Sequence, residues 1–344
     1  MPAYRPRMPD GPAPGQGIGS PVIARAASAQ PPTGPRPRRI IAFMNQKGGV
    51  GKTTTTVNLA AAFARAGRST LVVDLDPQAH ATLHLGIDPG ELETSVYNVL
   101  VDPSFDVTKA VRRARDNLSV LPAVTDLAGA EHELAEAPDK QKRLERALNV
   151  LGEAFEFVLI DCPPSLGLLT INGLTAAREV IIPMQAHFLA LQGVGKLLET
   201  VSLVRQGINP HLRVTGVVLC MHDNSSTHSR EVVADMEAFF TQSRDSDVPW
   251  RAARVLRPAI RRNIKLAECP SFGQTVFEYA PSATSAEDYN ALAWGLLGEW
   301  DAMNAARIAA GPAATQASTP APTALKPEPP VVQVPTATAI GVPA

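Results

Sequence analysis

Cysteine is scarce in this chain, and its scarcity argues against two classes of protein. The 344 residues contain three cysteines, Cys162, Cys220 and Cys269, at wide spacing and without a Cys-x-x-Cys pair. A disulfide framework needs an even set of cysteines, and a zinc site needs clustered ligands. We therefore interpret each cysteine as a small buried residue, and we expect a cytoplasmic protein because reducing compartments keep thiols free.

Surplus charge and long apolar segments are also missing. The net charge is −1, so any contact with nucleic acid must use a local basic patch. The first residues lack an apolar run of the length found in signal peptides, and no segment is apolar enough to span a bilayer. These features favour a cytoplasmic protein without membrane contact.

The composition changes towards both ends of the chain. Residues 1–38 are rich in proline, glycine, alanine and arginine, residues 306–344 are rich in proline, alanine and threonine, and neither segment is periodic. Such compositions cannot bury enough surface to offset chain entropy, so we predict two disordered tails. Residues 39–305 are predicted to form one folded domain.

A phosphate-binding loop lies near the start of this domain. Residues 45–56 read Asn-Gln-Lys-Gly-Gly-Val-Gly-Lys-Thr-Thr-Thr-Thr. This fits the pattern Gly-x4-Gly-Lys-Ser/Thr except at Gln46, which replaces the first glycine. The glycines allow backbone N–H groups to surround phosphate oxygens, Lys52 would contact the outer phosphates, and the Thr53 hydroxyl would bind Mg²⁺. Lys47 is a second lysine that the ordinary pattern does not require.

The surrounding pattern predicts an α/β fold. Residues 40–44 form an apolar run typical of a buried strand, and residues 53–65 have helical periodicity. Further strands are predicted at 71–75, 118–121, 157–161, 180–183, 214–221 and 253–256, and helices at 140–151, 189–205, 231–240 and 286–305. Alternating strands and helices predict a doubly wound, mostly parallel sheet covered by helices on both faces, as in P-loop NTPases.

Carboxylates follow two of the predicted strands. Asp74 and Asp76 end one strand, and Asp161 ends another. Ligands of a parallel sheet lie at the carboxyl ends of its strands, so we expect all three side chains to face the phosphate loop. A carboxylate there can hold Mg²⁺ through water or orient an attacking water.

Together these motifs resemble the ParA/Soj class of deviant Walker ATPases, relatives of MinD and of the nitrogenase iron protein. The resemblance covers residues 39–303. It includes Asp-Cys-Pro-Pro-Ser-Leu-Gly at 161–167 and Asn-Ile-Lys-Leu-Ala-Glu-Cys-Pro-Ser-Phe-Gly at 263–273. The two cysteine contexts that hold an iron–sulfur cluster in the nitrogenase-type reductases are absent from this sequence.

The resemblance implies ATP and Mg²⁺ as cofactors, ATP hydrolysis, and a homodimer that forms with ATP. Lys47 matches the lysine that reaches the partner's phosphates, Asp76 matches the acid needed for hydrolysis, and Asp161 matches the Walker B aspartate. The implied catalytic residues are Lys47, Lys52, Asp76 and Asp161, and the implied metal site is Thr53, Asp76 and Asp161, partly through water. The implied nucleotide contacts are Lys47, Gly48, Gly49, Val50, Gly51, Lys52, Thr53, Thr54 and Asn263.

One basic stretch is a candidate for DNA binding. It contains Arg251, Arg254, Arg257, Arg261, Arg262 and Lys265, with no acid before Glu268. Such a cluster would bind phosphates without reading sequence, although a solvated face paired with acids is an open alternative. The resemblance favours DNA, with Arg254, Arg257, Arg261, Arg262 and Lys265 as contacts. The arginine that many relatives carry near Ser225 is absent, and Arg230 or the N-terminal arginines would have to compensate.

The resulting hypothesis is a cytoplasmic, nucleoid-associated ATPase. It would bind DNA non-specifically as an ATP dimer and drive chromosome or plasmid segregation with a ParB-like partner. Alternatives are positioning of a protein cargo such as a chemoreceptor cluster, or a metabolic P-loop enzyme of the amide or reductase kind. A MinD-like membrane-associated regulator is disfavoured, because the prolines and the single lysine, Lys326, after residue 313 cannot form an amphipathic membrane helix.

Overall fold

The computed structural model describes residues 37–223 and 225–309, with the backbone alone for residues 188–192. Most of both predicted tails therefore lies outside the described residues, and their disorder and the boundaries of the domain stay predictions. The described residues belong to one compact unit.

An eight-stranded sheet forms the centre of the described part of the chain. Its order is β3-β4-β2-β5-β1-β6-β7-β8, and every neighbouring pair is parallel except β3 and β4. The strands are β1 (Arg39–Phe43), β2 (Thr70–Asp74), β3 (Arg112–Arg115), β4 (Leu118–Leu121), β5 (Phe157–Asp161), β6 (Glu179–Met184), β7 (Arg213–Leu219) and β8 (Arg254–Leu256).

Burial on both faces explains why the central strands are continuous apolar runs. In β1, Ile40 and Ala42 belong to one hydrophobic core, whereas Ile41 and Phe43 belong to the other. Alternate side chains of a strand point to opposite faces, so both faces of the sheet must be covered.

Helices provide this cover, and their bounds in the described residues are as follows. They are α1 (Lys52–Arg65), α2 (His80–His84), α3 (Val96–Val101), α4 (Leu127–Glu133), α5 (Arg143–Val150), α6 (Leu168–Ala176), α7 (Phe188–Gly207), α8 (Thr227–Gln242), α9 (Lys265–Glu268), α10 (Val276–Tyr279) and α11 (Thr284–Ala309). Side chains of α1 and α11 lie in the core on one face, and side chains of α5 to α8 lie in the core on the other.

The predicted fold class is confirmed, and one strand was missed. The edge strand β3 reads Arg-Arg-Ala-Arg, which has none of the apolar character used to predict strands. It forms by antiparallel pairing with the apolar β4. Edge position tolerates charged side chains and protects the sheet from pairing with other chains.

Within residues 37–223 and 225–309, no helix has both the length and the apolarity that a membrane span requires.

Candidate functional site

The loop between β1 and α1 is held in place by Asn45. The Asn45 Nδ2 donates to the Pro183 carbonyl (2.8 Å), and its Oδ1 accepts from the Lys47 backbone N–H (3.0 Å). One side chain thus ties the start of the loop to β6, the strand beside β1. The fixed start places the following glycines at the carboxyl edge of the sheet.

Two glycines of this loop have conformations that other residues rarely adopt. Gly49 has φ 71° and Gly51 has φ 97°. A Cβ on Gly51 would also lie 3.2 Å from the Cys220 Sγ. The loop therefore needs glycine at position 51 for its backbone angle and for its close approach to Cys220, the residue after β7. The positive angles turn the chain around the space where phosphates would bind.

The two lysines of the loop have opposite environments. Lys52 is buried, and its Nζ donates to the Lys47 carbonyl (3.3 Å), so it lies across the inside of the loop. Burial lowers the pKa of Lys52, while Asp161 and Asp76 act against this shift. Lys47 is exposed, and its side chain has no hydrogen bond or ion pair within the described residues. Lys52 therefore bonds to its own loop, whereas the Lys47 side chain makes no such contact within the described residues.

Asp161 ends β5 directly beside β1, paired in register with Phe43. Its Oδ1 accepts from the Thr56 hydroxyl (3.2 Å), and its Oδ2 is buried without a partner in the described residues. Burial, followed by the nearby Asp74, raises the pKa of Asp161 to about 8. A buried carboxylate oxygen without a hydrogen-bond donor is rare in folded proteins and is suited to contact a bound ion or water.

Asp76 and Asp74 differ, and the prediction that both face the phosphate loop is wrong for Asp74. Asp76 is partly exposed in the cleft, where its Oδ1 accepts from the Gln78 N–H (3.0 Å). Asp74 is fully buried and accepts from the Thr82 N–H (2.9 Å), the Thr82 hydroxyl (2.8 Å) and the Asp76 N–H (3.1 Å). The Asp74 carboxylate therefore shapes the turn that carries Asp76. Burial raises the pKa of Asp74 to about 6.

An open cleft of about 1590 Å³ lies over the loop. It is lined by the loop glycines, Lys52, Thr53 and Asp76 on one side and by residues 260–273 on the other, so the structure brings Asn263 to the same cleft. The Asn263 Oδ1 accepts from the Lys265 N–H (3.0 Å), and its Nδ2 donates to the Thr284 hydroxyl (3.2 Å). Ile264 and Phe272 on this rim are large apolar side chains that remain 67% and 60% exposed.

The comparisons with known proteins agree with this geometry. A family model described as an AAA domain matches residues 38–214. The sporulation initiation inhibitor protein Soj of Bacillus subtilis is 44% identical over 257 residues, which are 74% of this chain and 96% of Soj. This chain belongs to the ParA/Soj family of ATPases.

Two further matches extend the comparison. The chromosome partitioning protein ParA of Myxococcus xanthus is 41% identical over 254 residues, which are 74% of this chain and 86% of that protein. The crystal structure of the Mycobacterium smegmatis protein named cobyrinic acid a,c-diamide synthase, with bound ADP and magnesium, is 40% identical. Its superposition has a TM-score of 0.64 and covers 76% of this chain and 95% of that one.

Magnesium fits the residues at this ParA/Soj site. The Asp161 carboxylate lies near Thr53 and Lys52 of the loop, and its Oδ2 has no hydrogen-bond partner in the described residues. Asp76 adds a second carboxylate in the cleft. Mg²⁺ is usually held by only a few protein oxygens and retains several water ligands. A magnesium site of this kind needs no dense ligand cluster, and the described residues contain no group of three or more His, Cys, Asp or Glu side chains placed to hold a metal.

Sequence reasoning missed several residues that support the loop. The Gln185 Nε2 donates to the Gly49 carbonyl (3.3 Å), and the Thr55 hydroxyl lies 3.4 Å from the Cys220 Sγ and 3.1 Å from the Tyr289 hydroxyl. Gln185 follows β6 directly, so a polar residue after a buried strand was its available signal. Nothing in the sequence separates Cys220 and Tyr289 from ordinary core residues.

Most of the predicted DNA contacts are paired with acids. Ion pairs join Arg254 to Glu299, Arg257 to Glu237 (2.7 Å), Arg261 to Asp288 (2.7 Å) and Lys265 to Glu268 (2.7 Å). Arg262 is exposed, has no such partner among the described residues, and lines the cleft. Their assignment to DNA stays a prediction.

His222, in the segment that follows β7, is only 7% exposed. Its N–H donates to the Ile260 carbonyl (2.9 Å). It therefore lies at a junction between the end of β7 and the basic stretch. Asn224, in the segment without the family arginine, lies outside the described residues.

Proposed function

We propose that this chain is an ATP-dependent dimer switch that binds DNA non-specifically and separates chromosomes or plasmids together with a ParB-like partner. The observation that carries the proposal is the exposed Lys47, whose side chain has no hydrogen bond or ion pair among the described residues. Lys47 precedes Gly48, which lines the cleft, while Lys52 already bonds to its own loop. A free cation at this position suits the phosphates of a nucleotide held by a second subunit. Dimerisation would then depend on the nucleotide.

Each residue of the cleft has a distinct task in this proposal. The loop N–H groups and Lys52 bind the phosphates of ATP, Thr53 and Asp161 hold the metal, and Asp76 orients the attacking water. Bound Mg²⁺ supplies a positive charge that offsets the charge of the phosphates. The partly exposed position of Asp76 supports its role, because a group that orients water must reach solvent.

The exposed rim supports a dimer as well. Ile264 and Phe272 leave large apolar surfaces beside the nucleotide cleft. Large apolar side chains clustered at a functional rim are typical of surfaces that a partner buries. A second copy facing the cleft would cover both residues and bring Lys47 to the opposite nucleotide.

DNA binding is proposed for Arg254, Arg257 and Arg262. The ion pairs of Arg254 and Arg257 join exposed side chains, and such pairs contribute little stability, so the arginines can exchange their acids for phosphates. Arg261 is different because its partner Asp288 is buried, and we assign it to holding α11. Two patches in a dimer would raise the avidity for DNA and place the protein on the nucleoid in the cytoplasm.

The dimer is tested by light scattering with ATP, with ADP and without nucleotide. We expect the wild type to form a dimer only with ATP, and Lys47→Ala to remain a monomer that still binds nucleotide. Lys196→Ala, which removes an exposed lysine on α7, is the matched control. An ATP dimer that is unchanged in Lys47→Ala would refute the role of Lys47.

DNA binding is tested by co-sedimentation with duplex DNA at two salt concentrations. Binding with ATP alone, weakened at the higher salt, is expected because phosphate contacts release counterions. Arg262→Gln should weaken binding, whereas Arg113→Gln on the edge strand should not. Equal binding in all nucleotide states would argue against the switch. A ParB-like reading frame next to this gene would favour segregation, and a cargo adaptor would favour positioning of a protein assembly.

A metabolic amide synthase is the alternative suggested by the name of the Mycobacterium smegmatis protein. Taking ammonia from glutamine through a thiol requires an accessible cysteine of lowered pKa. All three cysteines are buried, and burial raises the pKa of Cys220 and of Cys269 to about 11. This supports the switch. ATP turnover that is stimulated by DNA and partner, without a small substrate, would exclude the synthase.

A further inference from the structure

A second pocket lies at the opposite ends of the strands from the nucleotide cleft. It has a volume of about 330 Å³ and lies at the amino ends of β1, β6 and β7, where Arg39, Glu179 and Arg213 contribute side chains. The nucleotide cleft uses the carboxyl ends of the same sheet. The two sites are therefore separate.

The pocket has a large excess of positive charge. Five arginines and one glutamate line it, and the arginines are Arg38, Arg39, Arg178, Arg213 and Arg307. Glu179 is buried and already serves two of them, with an ion pair to Arg39 and another to Arg213 (3.4 Å). It also accepts from the Thr215 hydroxyl (2.8 Å). This single carboxylate cannot neutralise the remaining guanidinium groups.

Three of those arginines, Arg38, Arg178 and Arg307, form no ion pair with an acid among the described residues. Arg38 donates to the Leu148 carbonyl (2.5 Å) and the Gly152 carbonyl (2.7 Å), which fix its position without supplying a full charge. Burial and the like charge of Arg178 lower the pKa of Arg38, and Glu153 offsets this only in part. Arg178 is exposed and has no ion pair within the described residues. An anion bound between these arginines would reduce the repulsion between their positive charges.

Asn304 provides an independent indication of a ligand. Its side chain lines the pocket and is 6% exposed, and its Oδ1 accepts from the Arg307 Nη2 (3.2 Å). Its Nδ2 is buried and donates to no described atom. Buried polar groups without a partner are rare in folded proteins, so this N–H group calls for an acceptor from outside the described chain.

We propose that this pocket binds a phosphate group, contacted by the Asn304 amide and by Arg178, Arg213 and Arg307. A phosphate presents several acceptor oxygens to donors from different directions, and the planar guanidinium fork matches them in pairs. The group can belong to a free phosphate compound or to the backbone of a nucleic acid. Both sources share the same chemistry at the pocket.

The test uses the full-length protein saturated with ADP and Mg²⁺, so that the nucleotide site is filled. Pyrophosphate is titrated by calorimetry into the wild type, Asn304→Asp and Arg178→Gln. Asn304→Asp keeps the size of the side chain and the acceptor for Arg307 but replaces the free donor by a carboxylate. Arg178→Gln alters an exposed side chain and should not impair folding, and urea unfolding checks that Asn304→Asp, at a buried residue, is folded as well. We expect at least about tenfold weaker binding in both variants and no change in Arg113→Gln.

A second arm identifies the source of the phosphate. Binding of a short duplex DNA is measured for the same variants with ATP. Weaker pyrophosphate binding with unchanged DNA binding assigns a free phosphate compound, whereas weaker DNA binding assigns the nucleic-acid backbone. The proposal is overturned if neither ligand binds less tightly to both variants than to the wild type.

Discussion

The Nζ atom of Lys52 lies 3.3 Å from the carbonyl oxygen of Lys47. This contact means that Lys47 accepts a hydrogen bond through its backbone carbonyl while its own side chain remains exposed. Lys52 must leave the carbonyl to meet a phosphate, whereas the Lys47 side chain has no hydrogen bond or ion pair within the described residues to break. The two lysines should therefore respond differently to substitution.

The first prediction concerns nucleotide affinity. Lys52→Ala should weaken ATP binding by at least about tenfold, because it removes a charged hydrogen bond to the phosphates. Lys47→Ala should change the affinity of the monomer by less than about twofold. Titration of a fluorescent ATP analogue at protein concentrations below the dimerisation range measures both. Equal losses in the two variants would contradict the separate roles.

The second prediction concerns the stability of the loop. Gly51→Ala should lower the free energy of unfolding by about 1–3 kcal/mol, because alanine is strained at positive φ and its Cβ would press on the Cys220 Sγ. Gly48→Ala is the matched control, since a Cβ there meets nothing within 4 Å. Urea unfolding of Gly51→Ala and Gly48→Ala without nucleotide measures the difference in their free energies of unfolding. Equal free energies would refute the prediction.

The third prediction concerns the support under Asp76. The Thr82 hydroxyl donates to Asp74 and accepts from the Ala123 N–H (3.0 Å), all within the core. Thr82→Val should cost about 1–3 kcal/mol of stability, because it leaves two buried polar groups short of a partner. It should also slow ATP hydrolysis by shifting the turn that carries Asp76. Thr82→Ser keeps the hydroxyl and should retain the hydrolysis rate.

The fourth prediction concerns acid stability. Burial, followed by the nearby charge of Arg115, lowers the pKa of His84 from 6.5 to about 4. The unfolded chain therefore binds the proton more readily than the folded one. The stabilisation from neutral His84 is complete above pH 6.5 and is lost as the pH falls towards 4, by up to about 3 kcal/mol.

Urea unfolding across this pH range measures the effect. His84→Gln should flatten the dependence of stability on pH between 6.5 and 4. His80→Gln is the control, because His80 is exposed on the same helix. A slope that persists unchanged in His84→Gln would assign the acid sensitivity to another group.

The fifth prediction separates hydrolysis from dimerisation. Asp76→Asn keeps the Oδ1 that accepts from the Gln78 N–H but loses the negative charge, so ATP hydrolysis should slow by about 10²-fold or more. The ATP dimer should form and persist longer. Asp88→Asn is a matched control, because Asp88 also lines the cleft and accepts from the N–H two residues later. Steady-state phosphate release and light scattering report the two properties.

The sequence predicted the central elements well, because their physical signals are local. The strand at 118–121 is observed with the same bounds, and the helix predicted at 189–205 is Phe188–Gly207. Apolar runs between turns define such elements without tertiary information. The edge strand β3 could not be predicted, since its three arginines form a strand only by pairing with β4.

The site was predictable where residue type alone dictates the chemistry. Gly51, Lys52 and Asp76 line one cleft, as the phosphate-loop pattern indicates. Asp74 was misplaced because one carboxylate at a strand end resembles the next, and only the fold shows that Thr82 binds it. The arginine pocket was not predicted at all, because its members are separated by up to 269 residues in sequence, from Arg38 to Arg307.

The burial of all three thiols has a practical consequence for measurement. Thiol-directed dyes react with exposed thiolates, and burial raises the pKa of each native cysteine. A cysteine introduced at an exposed position such as Lys196 would therefore carry the dye almost alone. Energy transfer between singly labelled subunits could then follow the lifetime of the dimer in real time, with every natural cysteine left in place.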